Sequence, residues 1–411
     1  MPASSARIPL EAYLTATSVF LVIAATNILT PLLPDIRNDF GVSIATAGVI
    51  VGSYGLARLF TDLPAAFVID AVGHRRVTVG ATVLLVAASL VGLNASSVGM
   101  LIAARIGAGV AVALFTTVAL STLGATATVE NRGKIMSFFH VANNTGIAFY
   151  PMVGGLIGAA FGWRATFGLT VVLALAAGAM FVPVLLRVHL RAGGTGRGVA
   201  SDERVLHSRE RAVAIAATNY GVVANMINRH GFRNTIMPLY AATALGLGGV
   251  SIATAIALMS ITGLLVATPG GMMGDRIGRR RVIMAGLAAL AAGDLAFLLT
   301  RDLVTFLAFA ALVGFGDFFS SSQTALLSEI VPAQHRTKVL SGYRFSADLG
   351  AFVGPVLLAA VMDLGNAQAS IVLAAAILFS ASLAARLGVP ARVDDRPAPA
   401  PQPVVVEGSA K

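Results

Sequence analysis

The chain has 411 residues, 56% of them hydrophobic and only 12% charged, with a formal net charge of +10 and no cysteine. Soluble domains carry about a quarter charged residues, so roughly half the usual charge is missing and a soluble globular protein is excluded. The lack of cysteine excludes a disulfide scaffold, a thiolate metal site and a cysteine nucleophile. The positive charge falls in clusters between apolar runs, which is not the pattern of a nucleic-acid partner.

A helix crossing the hydrocarbon of a bilayer needs about 20 apolar residues. Broken at charge clusters and at Gly, Pro and Asn punctuation, the first half predicts helices over 11–33, 44–69, 77–96, 98–121, 137–160 and 164–187. The second half predicts them over 212–240, 249–274, 282–300, 303–331, 338–362 and 367–388. The expectation is an all-α membrane protein with twelve spans in two sets of six. Small residues, 43 glycines among them, suit close helix contacts. The first segment is too long for a removed signal peptide and has no small-residue cleavage site. Residues 1–187 and 212–388 read as two helical bundles, 188–211 as a solvated linker, and 389–411 as a Pro-rich, disordered tail.

Basic residues set the orientation. Loops after even-numbered helices hold Arg75, Arg76, Arg132, Lys134, a stretch from Arg187 to Arg211, Arg276, Arg279, Arg280, Arg281, Arg336 and Lys338. Loops after odd-numbered helices hold Arg37, Arg164 and Arg301. By the positive-inside rule the linker and both termini are cytoplasmic. The 26 arginines against 3 lysines hint at a GC-rich bacterium, hence at its plasma (inner) membrane.

The two halves repeat each other. "AAFVIDAVGHRR" follows helix 2 and "GGMMGDRIGRRR" follows helix 8. Each places an Asp at a helix end (Asp70, Asp275), a Gly three residues on (Gly73, Gly278) and then a basic cluster. Such a Gly can take positive φ without a Cβ clash, and rim arginines can pair with the Asp. "GIAFYPMVGG" late in helix 5 and "GAFVGPVLLA" in helix 11 are a matched pair of Gly/Pro-interrupted helices. Paired interruptions of this kind point to the moving parts of a transporter.

These segments carry a family resemblance. Gly271, Gly274, Asp275, Arg276, Gly278, Arg279 and Arg280 resemble, nearly complete, the cytoplasmic-loop signature of the major facilitator superfamily. The first copy retains Asp70, Gly73 and Arg75, with Ala66, Ala71 and His74 in place of the usual residues. "LIAARIGAGVAVA" resembles the family's helix-4 motif, an intramembrane Arg105 followed by glycines, with Ala108 where Gln is common. Gly146, Pro151, Gly154 and Gly155 resemble the helix-5 signature of its drug:proton antiporters, with Tyr150 in the position of a Gly. The likeness spans residues 11–388 and implies two pseudo-symmetric six-helix bundles, helices 1, 4, 7 and 10 around a central cavity, and a gating role for the loop motifs.

Ionisable groups in hydrocarbon cost about 2.5–3.5 kcal/mol each at a helix centre, so they face a cavity or a partner. The buried set is Arg58, Arg105, Arg229, Arg233 and Arg344 against Asp62, Asp294, Asp317 and Asp348. Arg58/Asp62 and Arg344/Asp348 are i, i+4 pairs, each on one helix face. Each is either a self-neutralised brace or a pair whose Asp takes a proton as access changes. Arg105 has no carboxylate on its own helix; the resemblance implies proton coupling, the alternative being hydrogen bonds to helix carbonyls. Asp317 is a protonatable carboxyl or the partner of Arg229 or Arg233. Asp294 has no obvious partner, and reads as a neutral acid or an interfacial one. His140 and His230 could relay protons or simply pack.

The cavity candidates are Asn27 and Thr30 beside Thr26 on helix 1, Asn225, Asn228 and Arg229 on helix 7, and Gln323 near Ser321 on helix 10, with Phe115, Tyr220 and Phe318 as apolar wall. Helix 1 has no central carboxylate, which argues against a dedicated pump for lipophilic cations. No phosphate-binding glycine loop with a Lys is present, nor metal-ligand spacing, nor a nucleophile constellation. The expected protein is therefore not an enzyme and uses no cofactor. It is a monomeric secondary transporter in the bilayer, whose partners are protons and a small amphipathic solute, with the proton gradient as energy source. Export by antiport, import of an organic acid, sugar or amino acid by symport, and a non-transporting sensor on the same fold are the readings it leaves.

Overall fold

The computed structural model describes residues 8–128, 131–188 and 207–394, and all regular structure among them is helical. The first half contributes α1 (Leu10–Asn27, continuing through Thr30–Leu32 and Leu33–Phe40), α2 (Ile44–Asp62), α3 (His74–Leu93), α4 (Val98–Thr126), α5 (Arg132–Phe161) and α6 (Trp163–Arg187). The second contributes α7 (Ser208–Met226, continuing through Ile227–Ile236 and Met237–Ala244), α8 (Gly249–Ile277), α9 (Arg279–Ala296), α10 (Leu303–Ile330), α11 (Ala333–Leu364) and α12 (Ala367–Gly388). Ten helical stretches among the described residues are long and apolar enough to cross a membrane by length and composition. The two long helices outside that set, α5 and α7, contribute Asn144, Arg229, Arg233 and Asn234 to the cavity described below.

The helix ends follow local chemistry. Side chains of Ser43, Ser97, Asp302 and Asn366 accept the backbone N–H groups that open α2, α4, α10 and α12. Gly73 (φ 92°) and Gly278 (φ 102°) turn the chain at equivalent places in the two halves, as the repeated loop sequence requires. The second predicted helix, 44–69, is two pieces: α2 stops at Asp62 and a short helix, Ala65–Val72, follows Pro64, whose ring cannot donate to a continuing ladder. α10 tightens to a 3₁₀ turn at Gly316–Phe319. The tail predicted to be disordered from residue 389 is seated as far as Asp394. Val389 and Val393 are buried, and Asp394 Oδ1 accepts the Arg280 N–H at 3.0 Å. The rest of the tail, most of the predicted linker and the side chains of His140 and Ser321 lie outside the described residues.

Each half has its own apolar core. Val19, Val112, Phe115 and Phe181 belong to the first, and Phe232, Phe297, Phe306 and Phe319 to the second. Between them run two glycine-lined seams. α2 and α11 are antiparallel, and Gly48, Gly52 and Gly55 lie against Pro355 and Ala359, Phe352, and Ala351 in turn. Gly155 of α5 lies against Gly249 and Ala253 of α8 in the same way. Both seams sit at the end of the molecule that carries the arginine-poor loops, where the Ile44 N–H also donates to Asp363 across the bundles. The α2–α11 seam ends at Arg58, and beyond it a cavity of about 600 Å³ separates the bundles. The molecule is thus closed at its arginine-poor end and parted at its arginine-rich end.

A Cβ built at Gly48 collides with Ala359 Cβ and the Pro355 carbonyl. Gly48→Leu is therefore expected to hold the closed end open, at a cost of about 1–3 kcal/mol to the state seen here. The cysteine-free chain allows a clean check. A Thr30→Cys reporter is expected to react severalfold faster with a membrane-impermeant thiol reagent added at the arginine-poor side once Gly48→Leu is present.

Candidate functional site

The central cavity lies between the bundles, and the empty space within its walls, open solvent included, is about 780 Å³. Its polar wall is built from Asn27 and Thr30 of α1, Asn144 of α5, Arg229, Arg233 and Asn234 of α7, Ser260 of α8 and Asp317 of α10. Ile147, Pro151, Ile256 and Met259 make apolar wall. A second lobe of about 450 Å³ shares Asn27, Thr30 and Asn234 and reaches Tyr54, Arg105 and His230.

The local structure of α7 decides which of its side chains face this space. Residues Ile227–Ile236 form a π-helical stretch, recorded in the Thr235 hydroxyl donating to the His230 carbonyl five residues back and in the Met237 N–H donating to the Phe232 carbonyl. In this stretch Arg229, Arg233 and Asn234 line the cavity and Asn228 is buried, as is Asn225 just before it. Of the helix-7 candidates Asn225, Asn228 and Arg229, only Arg229 lines the cavity, and Asn234, not expected there, joins it. π-Bulges are frequent at functional sites.

Asn228 is instead the hub of a buried network. Its Nδ2 donates to Asp294 Oδ2 at 2.6 Å, and its Oδ1 accepts from Arg233 Nε at 2.8 Å. Arg233 then forks onto Asp317, Nη1 to Oδ2 at 2.6 Å and Nη2 to Oδ1 at 3.2 Å. Asp317 is therefore an ion-pair partner, one of the two readings open from sequence. Asp294 is neither interfacial nor unpartnered, being fully buried against α7.

Arg105 has the second of its two expected settings. Its Nη1 donates to the Thr26 carbonyl at 3.2 Å and its guanidinium lies 4.7 Å from the centre of the Tyr54 ring, a cation–π contact. Gly109 lets α4 approach the Tyr54 carbonyl and Ala57 closely enough for this. Tyr54 carries no signal in the sequence beyond being an aromatic in a span.

The two i, i+4 pairs join across the bundles. Because α2 and α11 run antiparallel, Arg58 reaches Asp348 of the other bundle as well as Asp62 of its own helix. Arg58 Nε is 3.3 Å from Asp348 Oδ1, and Arg58 Nη2 is 3.7 Å from Asp62. Arg344 makes no ion pair with Asp348 of its own helix among the described residues, and lines the 600 Å³ cavity with the other three. The expected Arg344/Asp348 pair is thus replaced by an inter-bundle one.

Several cavity candidates pack elsewhere. Phe115 is buried inside the first bundle, its ring 5.1 Å from Phe181. Tyr220 bonds Ser380 of α12 at 2.7 Å. Gln323 is fully buried, accepting from the Tyr343 hydroxyl at 3.3 Å, and Phe318 rests on Gly270 of α8. On the helix-5 signature, Gly146 and Gly154 lie against Phe20 and Ile28 of α1, Gly155 meets α8, and Pro151 lines the cavity.

The loop motifs differ between the halves. In the second, Gly274 packs on Ser322, and Arg279 bridges Asp275, at 2.9 Å, and Glu329 of α10. Arg281 lies 3.7 Å from Asp394. In the first, Asp70 and Arg75 are exposed and hold no ion pair among the described residues. Neither Glu329 nor Asp394 stood out in the sequence, because both partners come from distant segments.

Comparison with known proteins agrees with this architecture. The sequence profile of the Major Facilitator Superfamily matches residues 15–228 and 221–408. A chloramphenicol resistance protein of Streptomyces lividans is 26% identical over 381 residues, which cover 91% of this chain and 95% of that protein. Member 10 of the facilitated glucose transporters (solute carrier family 2) of Mus musculus is 28% identical over 286 residues, 63% of this chain and 52% of its own length. The crystal structure of a peptide transporter, POT, superposes with a TM-score of 0.76 at 14% identity, covering 93% of this chain and 94% of that one. Profile, helices and fold agree, and this integral membrane chain belongs to the Major Facilitator Superfamily of transporters.

Proposed function

We propose that this protein exports a small amphipathic organic compound in exchange for protons, by alternating access across a bacterial plasma membrane. The arginine-rich loops put both termini and the 188–211 linker in the cytoplasm. The structure is then the inward-facing state, and the two bundles, 1–187 and 212–388, rock about the central cavity. The protein acts as a monomer without a cofactor, drawing on the proton gradient.

The observation that carries the reading is the Arg58–Asp348 contact between the bundles, where the seam stops and the cytoplasmic cavity begins. With Asp348 ionised, the pair holds the outer halves together. A proton on Asp348 removes one charge of the pair and frees the seam to part. In the state seen here that proton leaves through the charged cavity toward the cytoplasm. Asp62, on the same guanidinium, is the second carrier candidate. The export direction takes support from the resistance activity named for the Streptomyces lividans relative and from the helix-5 signature.

The test is substrate-driven proton movement in liposomes holding a pH dye. Proton efflux from an acidic lumen as compound enters is the expected result. Proton entry together with compound would make the protein a symporter, a direction that the arginines of the cavity also suit. Absence of proton movement with a compound that is transported would end the proton-coupled reading.

A further inference from the structure

The central cavity has a surplus of positive charge. Across its two lobes the wall carries Arg105, Arg229 and Arg233 against one carboxylate, Asp317. Arg233 already holds that carboxylate with both Nη atoms. Arg105 has only a backbone carbonyl and an aromatic face, neither of which cancels its charge. Arg229 makes no hydrogen bond or ion pair with any described residue, yet it lines the cavity one turn from Arg233. A guanidinium facing a semi-enclosed cavity has five N–H donors to satisfy, and its most favourable partner is a carboxylate or phosphate oxygen, taken bidentately. The amides of Asn27, Asn144 and Asn234 surround the same space without adding negative charge.

We infer that the central cavity takes a small organic anion, with its acidic group on Arg229 and its apolar body against the Ile147, Ile256 and Met259 wall. The inference rests on the transport reading above and specifies the substrate class of that same cavity. A lipophilic cation would meet three guanidinium groups against a single carboxylate, which Arg233 already holds. A neutral compound would leave Arg229 unpaired.

Binding to the purified full-length protein in detergent tests this directly, by equilibrium dialysis with three matched probes: 2-naphthoate, 2-naphthamide and 2-naphthylmethylammonium. The naphthoate is expected to bind at least about tenfold more tightly than the amide, as one charged hydrogen-bonded contact warrants, with the ammonium weakest. R229Q is expected to erase the preference for the acid and R229K to retain part of it. Arg301→Gln, in an exposed loop, leaves the preference unchanged and serves as control. R229K also guards against loss of folding, since it keeps the charge beside Asp317. Equal binding of acid and amide, or a preference that survives R229Q, would overturn the inference. The same probes in the liposome assay separate it from the transport reading. Acid-selective binding with no proton movement by any transported probe would sink antiport and leave the anion site standing. Proton movement driven by the amide or ammonium but not by naphthoate would do the reverse.

Discussion

Asp348→Asn is expected to abolish proton movement coupled to substrate while leaving substrate counterflow intact. Asn has nearly the shape of Asp but cannot carry the charge or exchange a proton. In the native protein the carboxylate sits 3.3 Å from Arg58 Nε, at the inner limit of the α2–α11 seam. Its side chain is 10% exposed, so the pair is only weakly screened. The amide fills the same space, and the glycine-lined packing of α2 on α11 keeps the helices together and the protein folded. What it loses is the difference between two protonation states, and with it the dependence of the seam on pH. Even a modest difference of about 1.4 kcal/mol between those states is tenfold in an equilibrium or a rate. Proton flux per substrate is therefore expected to fall by at least about tenfold, read with the pH dye, while exchange of labelled for unlabelled substrate proceeds. An unchanged proton-to-substrate ratio would remove Asp348 from the coupling step and point to Asp62, the other carboxylate on Arg58.

Asp317→Ala is expected to act on stability first. Arg233 is 5% exposed, and the substitution would leave its guanidinium buried with only the Asn228 contact and with Arg229 one turn away. Removing one partner of a buried, well-formed ion pair costs about 3–5 kcal/mol. The measurement is thermal unfolding of the purified protein in detergent, where a fall of several degrees is expected. A second substitution separates this role from proton carriage. In the Asp317→Ala/Arg233→Met double variant the orphaned charge is gone, and most of the lost stability is expected to return. Should Asp317→Ala leave the melting temperature unchanged, the fork between α7 and α10 is not a brace, and Asp317 becomes a candidate for the proton.

Much of the architecture was legible in the chain because membranes impose simple rules. Apolar runs of the right length, arginines in alternate loops and a repeated Asp–x–x–Gly-plus-basic segment required nothing beyond local sequence. Gly73 and Gly278 do take the positive φ that their loops demanded, and the glycines of the helix-5 signature are where α1 and α8 come close. These features are local or periodic, so one dimension records them.

The site depended on information of another kind. Charges in the spans were visible, but their partners were set by the antiparallel run of α2 against α11, which matched Arg58 to Asp348 and left Arg344 without its i, i+4 neighbour. In the π-helical stretch of α7, Asn234 lines the cavity while Asn228 is buried against Asp294 and Arg233. No periodicity argument anticipates a change of period partway along a helix. Phe115 and Gln323 sit on helices 4 and 10, which the family resemblance places around the cavity, but the packing of each bundle buries them. Local propensity and patterning place helices in a membrane; which polar groups meet, and which are left facing an open cavity, is settled only when the bundles pack.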